Sequence, residues 1–291
     1  MIIPNRPELS LEERKLPLSK YYDLPLNDIG PLYQQIIDAG PMEQNDALKV
    51  ENLLDHLQLP GVYRKVVFGY CVMDDGCGFL ASYSVYPNST PEMMKWYFRW
   101  INIYSKNQPR DKGNLRYKIW CPADHITHGF INEKEKKKAD GIYTIEALDL
   151  EFGKTPLGPI MYTVRYPYSL RELGLSEQRE KELADAGVWV DPAVEKFFTV
   201  ESPHTPVPGT HLCLTMSRPH PLGGMEKYTV EWIGYGVKDG KIYFDKTTPS
   251  YQFTEDWLKM ALRHTTVEAQ QLSRFLPELY AEYHDKPDDA D

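Results

Sequence analysis

The chain has 291 residues, with 33 Lys and Arg against 42 Asp and Glu, a formal net charge of −9. Hydrophobic residues make up 42% and aromatics 12%, a composition that buries a core rather than staying disordered. The acidic balance argues against nucleic acid or an anionic membrane surface as partner, because both need a basic footprint.

The first sixty residues read as a proline-rich arm. A short helix is expected around Leu32–Ala39, closed by Gly40-Pro41, and another through Ala47–Leu57, stopped by Pro60-Gly61. Lys65–Val72 and Gly78–Val85 read as a hairpin around the Asp75-Gly76 turn. Thr90-Pro91-Glu92 then opens a helix: a good N-cap, a proline that fits the first helical position, and an acid at the positive end. Its stripe of Met93, Trp96, Tyr97, Trp100 and Tyr104 reads as core. Strands are expected at Leu115–Cys121, Gly141–Phe152 and Pro159–Val164. A charged helix follows at Ser176–Ala186, ended by Gly187. Long strands are expected at Thr210–Ser217 and Lys227–Val237, and Lys238-Asp239-Gly240 turns the chain into Lys241–Asp245. A last helix starts after Thr254, runs to about Tyr283 and is open to bending at Pro277.

Strands without intervening helices favour an antiparallel sheet. The terminal helix must bury its apolar stripe, and the concave face of such a sheet offers the place. The expected class is therefore α+β, one curved antiparallel sheet around a long C-terminal helix. The expected division is an arm (1–60), one main domain (61–284) and an acidic tail (285–291).

Cys71, Cys77, Cys121 and Cys213 form no CxxC pair and sit in or beside apolar runs, so they read as free buried thiols in a reducing cytoplasm. No GxxxxGK[ST] or GxGxxG loop is present, which removes the common nucleotide enzymes. The N-terminus lacks the pattern of a secretory signal, and no apolar run is long enough for a membrane span. The expectation is a cytoplasmic protein with neither nucleic-acid nor membrane partner.

Three segments carry candidate chemistry. On the last helix, His264 and Glu268 are four apart and fall on the apolar face traced by Trp257, Ala261, Leu272, Phe275 and Leu279. A carboxylate buried there needs a cation or a proton. The run Pro122-Ala123-Asp124-His125-Ile126-Thr127-His128 follows an expected strand end, where one histidine can bind metal and the other substrate. In the 141–152 strand, alternation places Glu146 on the apolar face, with Glu151 on the other. His125, Glu146, His264 and Glu268 would form a two-His, two-carboxylate site suited to zinc, or to iron or manganese. The plain alternative is a set of surface pairs and loop histidines.

Several motifs support a family resemblance. They are Gly69-Tyr70-Cys71 with Asp75-Gly76, Thr90-Pro91-Glu92-Met93 with Trp96 and Trp100, and Arg116-Tyr117 with Trp120-Cys121-Pro122 and His125. To these add His264-Thr265-Thr266-Val267-Glu268 with Phe275-Leu276-Pro277-Glu278-Leu279-Tyr280. Through them the chain resembles the diacetylphloroglucinol hydrolase/phloretin hydrolase family from about Tyr21 to Tyr280. The resemblance implies a helix-grip fold like that of START domains and the birch-pollen allergen. It implies a Zn2+ site of His125, His264 and Glu268 with a fourth ligand from the Glu146 strand, Glu151 being the fallback. It implies cleavage of a carbon–carbon bond between an acyl group and a phloroglucinol ring of a small acylated polyphenol by metal-activated water. Tyr117 matches a substrate-pocket tyrosine, His128 falls where a relative carries Asn, and His211 and Tyr228 match a pocket His and Tyr. Glu146 would act as ligand, proton acceptor or both. Trp100-Ile101 departs from Trp-His in relatives, and the loop 105–114 is longer, which leaves the exact substrate open. A homodimer is expected, with the arm free to pack across a neighbouring subunit. The competing reading is a helix-grip binding protein for an apolar or aromatic small molecule without catalysis.

Overall fold

The computed structural model describes residues 8–26, 29–103, 114–130, 142–146, 161–199 and 206–287. The arm contributes α1 (Leu11–Arg14), α2 (Ser19–Tyr22) and α3 (Pro31–Asp38), followed by 3-10 turns at Gln44–Asp46 and Val50–His56 where a regular helix was expected. The arm packs on its own chain. Leu18, Tyr21 and Tyr22 are buried with Trp100 and Phe275, and Lys118 pairs with Glu13 at 2.6 Å in a largely buried contact.

The sheet begins with the predicted hairpin, β1 (Gly69–Val72) and β2 (Gly78–Tyr86), in which Val72 pairs with Gly78. Gly76 turns it with a φ of 84°, a region that glycine enters without a Cβ clash. In α4 (Pro91–Trp100), Thr90 Oγ1 accepts from the Met93 N–H, and Trp96, Tyr97 and Trp100 are buried as the stripe predicts. Met93 is partly buried, and Tyr104 lies outside the described residues.

The expected strand Leu115–Cys121 is instead a helix, α5 (Leu115–Lys118), capped by Asn114, whose side chain accepts from the Arg116 N–H. Leu115, Arg116 and Tyr117 are all buried. A short segment enclosed on every side has no polar face, so its sequence shows no helical period. The strand comes afterwards, as β3 (His125–Phe130). His125 therefore opens a strand and His128 lies inside it; neither sits in a loop past a strand end.

The remaining strands are β4 (Ile142–Glu146), β5 (Met161–Pro167), β6 (Trp189–Thr199), β7 (Pro206–Pro219) and β8 (Met225–Ile233). Strand β6 was not foreseen, because Pro192 reads as a strand breaker. The Pro192 carbonyl accepts from the Tyr168 N–H, one residue beyond the end of β5. Pro192 has no N–H to return on that side, and the β5 ladder ends at this position, with Pro167 opposite Ala193 as its last pair. Between β5 and β6, α6 (Glu177–Asp185) runs from a Ser176 cap to Gly187 with φ 72°.

The long strand expected at Lys227–Val237 is cut at Gly234, with φ 99°, where a Cβ would run into the Phe244 and Phe253 rings. Beyond it, β9 (Tyr235–Lys238) and β10 (Lys241–Phe244) form a separate hairpin turned by Asp239 and Gly240. The last helix, α7 (Glu255–Tyr283), is capped by Thr254, contains Pro277, and packs on β1, β2 and α4.

The main sheet is antiparallel, in the order β1-β2-β8-β7-β6-β5-β4-β3. Strands β8 and β3 are five steps apart, roughly 24 Å in a flat sheet. Yet Lys227 of β8 and His125 of β3 both approach one carboxylate on α7, at 3.8 and 3.5 Å. The sheet must curl to bring them there. Its concave face and α7 enclose the site described next. The four cysteines are free and buried, and no described helix is long and apolar enough to cross a membrane.

Candidate metal centre and active-site cavity

The turn after α5 delivers His125, the first candidate ligand. The His125 N–H bonds to Cys121 O at 2.8 Å, and its ring stacks flat on Tyr117, with centroids 4.0 Å apart and planes 3° apart. His125 Nδ1 lies 3.2 Å from the Tyr117 carbonyl, which can only accept. The proton therefore belongs on Nδ1, and Nε2 keeps its lone pair. That Nε2 is buried without a hydrogen-bond partner and faces Glu268 Oε2 at 3.5 Å.

From α7, His264 follows the same logic. Its Nδ1 bonds to the fully buried carboxylate of Asp124 at 2.7 Å, leaving Nε2 3.7 Å from the same Glu268 oxygen. Histidine ligands commonly donate their other N–H to a carboxylate or a carbonyl, which fixes tautomer and ring orientation. The ligand atoms of His125, His264 and Glu268 all lie within 4.8 Å of one another. Tetrahedral zinc with bonds of about 2.0–2.1 Å separates its ligands by about 3.3 Å. Two ring nitrogens at 3.5 and 3.7 Å from one carboxylate oxygen fit a divalent cation. Burial pushes the Glu268 carboxyl upward, but His125, Lys227 and His264 outweigh it and hold it below its ordinary range, so the side chain is anionic.

In the β3–β4 register Glu146 lies directly opposite His125. Glu151 lies outside the described residues.

His264 and Glu268 of the triad border a cavity of about 530 Å³ between α7, α4 and the curled sheet. Tyr117, His128, His211, His264 and Glu268 line it. Burial, with a smaller effect of His125, pushes the His128 imidazole down to about 3, so it is neutral at ordinary pH. His211 packs on Phe197 with centroids 4.2 Å apart, its Nε2 is 3.4 Å from Gln252 Oε1, and its Nδ1 is 3.7 Å from Glu231.

Tyr228 is not brought to this cavity. Alternation along β8 sends Lys227, Thr229 and Glu231 inward, and puts Tyr228 and Val230 on the opposite face beside His56 and Arg218. Tyr228 is thereby corrected from pocket residue to outer-face residue.

Three participants were missed. Asp124 was quoted in its run but given no role; a carboxylate next to a candidate ligand was the available signal. Lys227 was read only as the first residue of a strand, yet it is buried in the cavity, 3.8 Å from Glu268 and about 6 Å from the Phe98 and Trp120 rings. The third is a charged group, Arg165 with Asp191 and Glu195, carried largely by the unforeseen β6.

The family model for the DAPG hydrolase PhiG domain matches residues 48–281. A stretch of 123 residues, 39% of this chain, is 32% identical to the phloretin hydrolase of Eubacterium ramulus and spans 38% of that protein's length. The model match covers far more than half of the sequence, His125 and His264 included, and the chain belongs to the DAPG hydrolase PhiG domain family, a family of hydrolases.

Proposed function

We propose that this chain is a zinc-dependent hydrolase that cleaves the carbon–carbon bond between an acyl group and a phloroglucinol-type ring. The observation that carries the reading is the pair of Nε2 lone pairs, each fixed by an acceptor on Nδ1 and both aimed at one buried carboxylate beside a large cavity. His125, His264 and Glu268 would hold the metal, and the register position of Glu146 supports it as the fourth ligand. When bound, zinc supplies a Lewis acid for the acyl carbonyl and lowers the pKa of water from about 15.7 to about 7. The curl of the sheet against α7 supports a helix-grip arrangement.

The reaction adds water across one bond. The ring first takes a proton on the carbon bearing the acyl group and becomes a keto tautomer. A water oxygen then bonds to the acyl carbon, the ring–acyl bond breaks, and its electron pair passes into the ring as an enolate. Protonation of that enolate gives the phenol, and the acyl group leaves as a carboxylic acid. Lys227 puts a fixed cation where charge on the ring oxygens develops, in an aromatic surrounding that weakens screening. Neutral His128 can pass a proton to or from a ring oxygen, and Tyr117 holds the ring of His125 in place while lining the pocket. His211, oriented by Gln252, offers a further polar contact.

A passive carrier of aromatic ligands has no use for a buried imidazole lone pair facing a buried carboxylate. Metal analysis of the purified chain, followed by product analysis with acylphloroglucinols, tests the proposal. The expected result is one equivalent of divalent metal and release of a free phloroglucinol ring and a carboxylic acid. His264→Ala should lose both; full activity in a metal-free His264→Ala protein would refute the reading.

A further inference from the structure

The family match begins at residue 48, so the arm that carries α1 and α2 lies outside it. Two buried arm side chains nevertheless reach one short segment, residues 115–125, beside the metal centre. Glu13 on α1 accepts from the Ser10 N–H through Oε2 at 2.9 Å and from Lys118 Nζ of α5 through Oε1 at 2.6 Å. The Tyr22 hydroxyl on α2 donates to the Pro122 carbonyl at 3.4 Å. The neighbouring arm residues grip α7. Lys20 pairs with Glu282 at 2.6 Å, the Tyr21 hydroxyl donates to the same carboxylate at 2.9 Å, and the Tyr21 ring packs on Phe275 with centroids 5.3 Å apart.

These contacts fall next to the groups that orient the triad. Lys118 follows Tyr117, whose carbonyl faces His125 Nδ1 and whose ring stacks on that imidazole. Pro122 follows Cys121, whose carbonyl accepts from the N–H groups of both Asp124 and His125, and Asp124 in turn holds His264. Helix α5 is a single turn, and one turn has little stability of its own. The 115–125 segment takes its shape from what packs on it, and Glu13 and Tyr22 give it two fixed polar points. Taking the carboxylate from a buried ammonium is costly, so loss of Glu13 displaces Lys118 and the turn that follows. The arm thus bridges the two halves of the site, the segment with Asp124 and His125 and the helix with His264 and Glu268.

We propose that Glu13 and Tyr22 are positioning residues of the metal centre. Through them the arm clamps the 115–125 segment against α7 and keeps His125 within reach of His264 and Glu268. This rests on the metal reading of that triad and adds a control exerted from outside the family match.

The test uses the full-length protein and zinc, with affinity measured by competition with a chelator. Glu13→Gln keeps a side chain able to accept from the Ser10 N–H and removes the charge that Lys118 meets. It should weaken zinc binding about tenfold, as for a hydrogen bond between charged groups, and Tyr22→Phe about threefold. Combining Glu13→Gln with Lys118→Met should recover most of the loss, because the apolar side chain needs no carboxylate. Leu183→Ala, in a different core cluster under α6, lowers stability and should leave zinc affinity unchanged. Unchanged affinity in both arm variants, or an equal loss in Leu183→Ala, overturns the inference. Amide exchange at Asp124 and His125 in the metal-free protein gives an independent reading. It should quicken in Glu13→Gln and not in Leu183→Ala. If the unmodified chain binds no zinc while exchange still quickens in Glu13→Gln, the metal reading fails and the clamp on the segment stands. If zinc binds and neither affinity nor exchange responds, the clamp fails and the metal reading stands.

Discussion

Asp124 Oδ2 lies 2.7 Å from His264 Nδ1, joining a fully buried turn carboxylate to a helix residue 140 positions away. The bond fixes the tautomer of His264 and its rotation about the helix. Without it Nε2 would have no reason to face Glu268.

Asp124→Asn keeps the shape and removes the charge. Metal affinity should fall by about ten- to a hundredfold, the usual cost of losing a partner behind a histidine ligand. Competition with a chelator measures it. Unchanged affinity would mean that the helix alone orients His264.

Lys227 is the one buried lysine facing this cavity among the described residues. Lys227→Met should reduce kcat by about a hundredfold, in the range found for removing one preorganised stabiliser of developing charge. Metal content should stay at one equivalent, because Lys227 touches Glu268 at 3.8 Å without being a ligand. Lys227→Arg should recover part of the rate. Loss of metal in Lys227→Met would show that the cation stabilises the site and not the reaction.

Tyr228 faces away from the cavity, and its hydroxyl is buried without a hydrogen-bond partner. Tyr228→Phe should leave kcat/KM unchanged. Stability should hold or rise slightly, since an unsatisfied buried hydroxyl costs about 1–3 kcal/mol. Tyr117→Phe, on the cavity wall, should lower kcat/KM. The two variants assayed side by side check the strand alternation that separates them.

His56 is enclosed on the outer face of the sheet, and burial, with help from Arg64 and Arg218, pushes its imidazole from 6.5 down to about 3. Between those values the unfolded chain takes a proton that the folded chain refuses. Stability is therefore unaffected above about pH 6.5 and falls as pH drops toward 3. The loss from His56 should reach about 2 kcal/mol by pH 5, at 1.36 kcal/mol per unit. Urea unfolding at pH 7 and pH 5 measures the difference, and His56→Leu should flatten it. An equal pH dependence in that variant would assign the effect to other groups.

The sequence by itself determined the elements whose signals are local. Thr90-Pro91 and Ser176 cap helices through bonds three residues long, the Asp75-Gly76 turn closes a hairpin of adjacent strands, and the four-residue spacing of His264 and Glu268 holds on any α-helix. The motifs that carry the family resemblance were likewise legible, and with them His125, His264 and Glu268, which the structure brings together. Only the tertiary structure decided the rest. Leu115–Lys118 is a single capped turn of helix whose buried residues show no period in the sequence, and β6 runs through Pro192 because its other edge stays paired with β7, Pro192 lying opposite Leu214. Lys227 and Tyr228 are adjacent in sequence and on opposite faces, and which one meets the substrate depends on the direction in which the sheet curls. The pairing of Asp124 with His264, and of Arg165 with Asp191 and Glu195, needs contacts between segments far apart in the chain. Local spacing cannot encode such contacts; only the packing of α7 into the curled sheet brings them together.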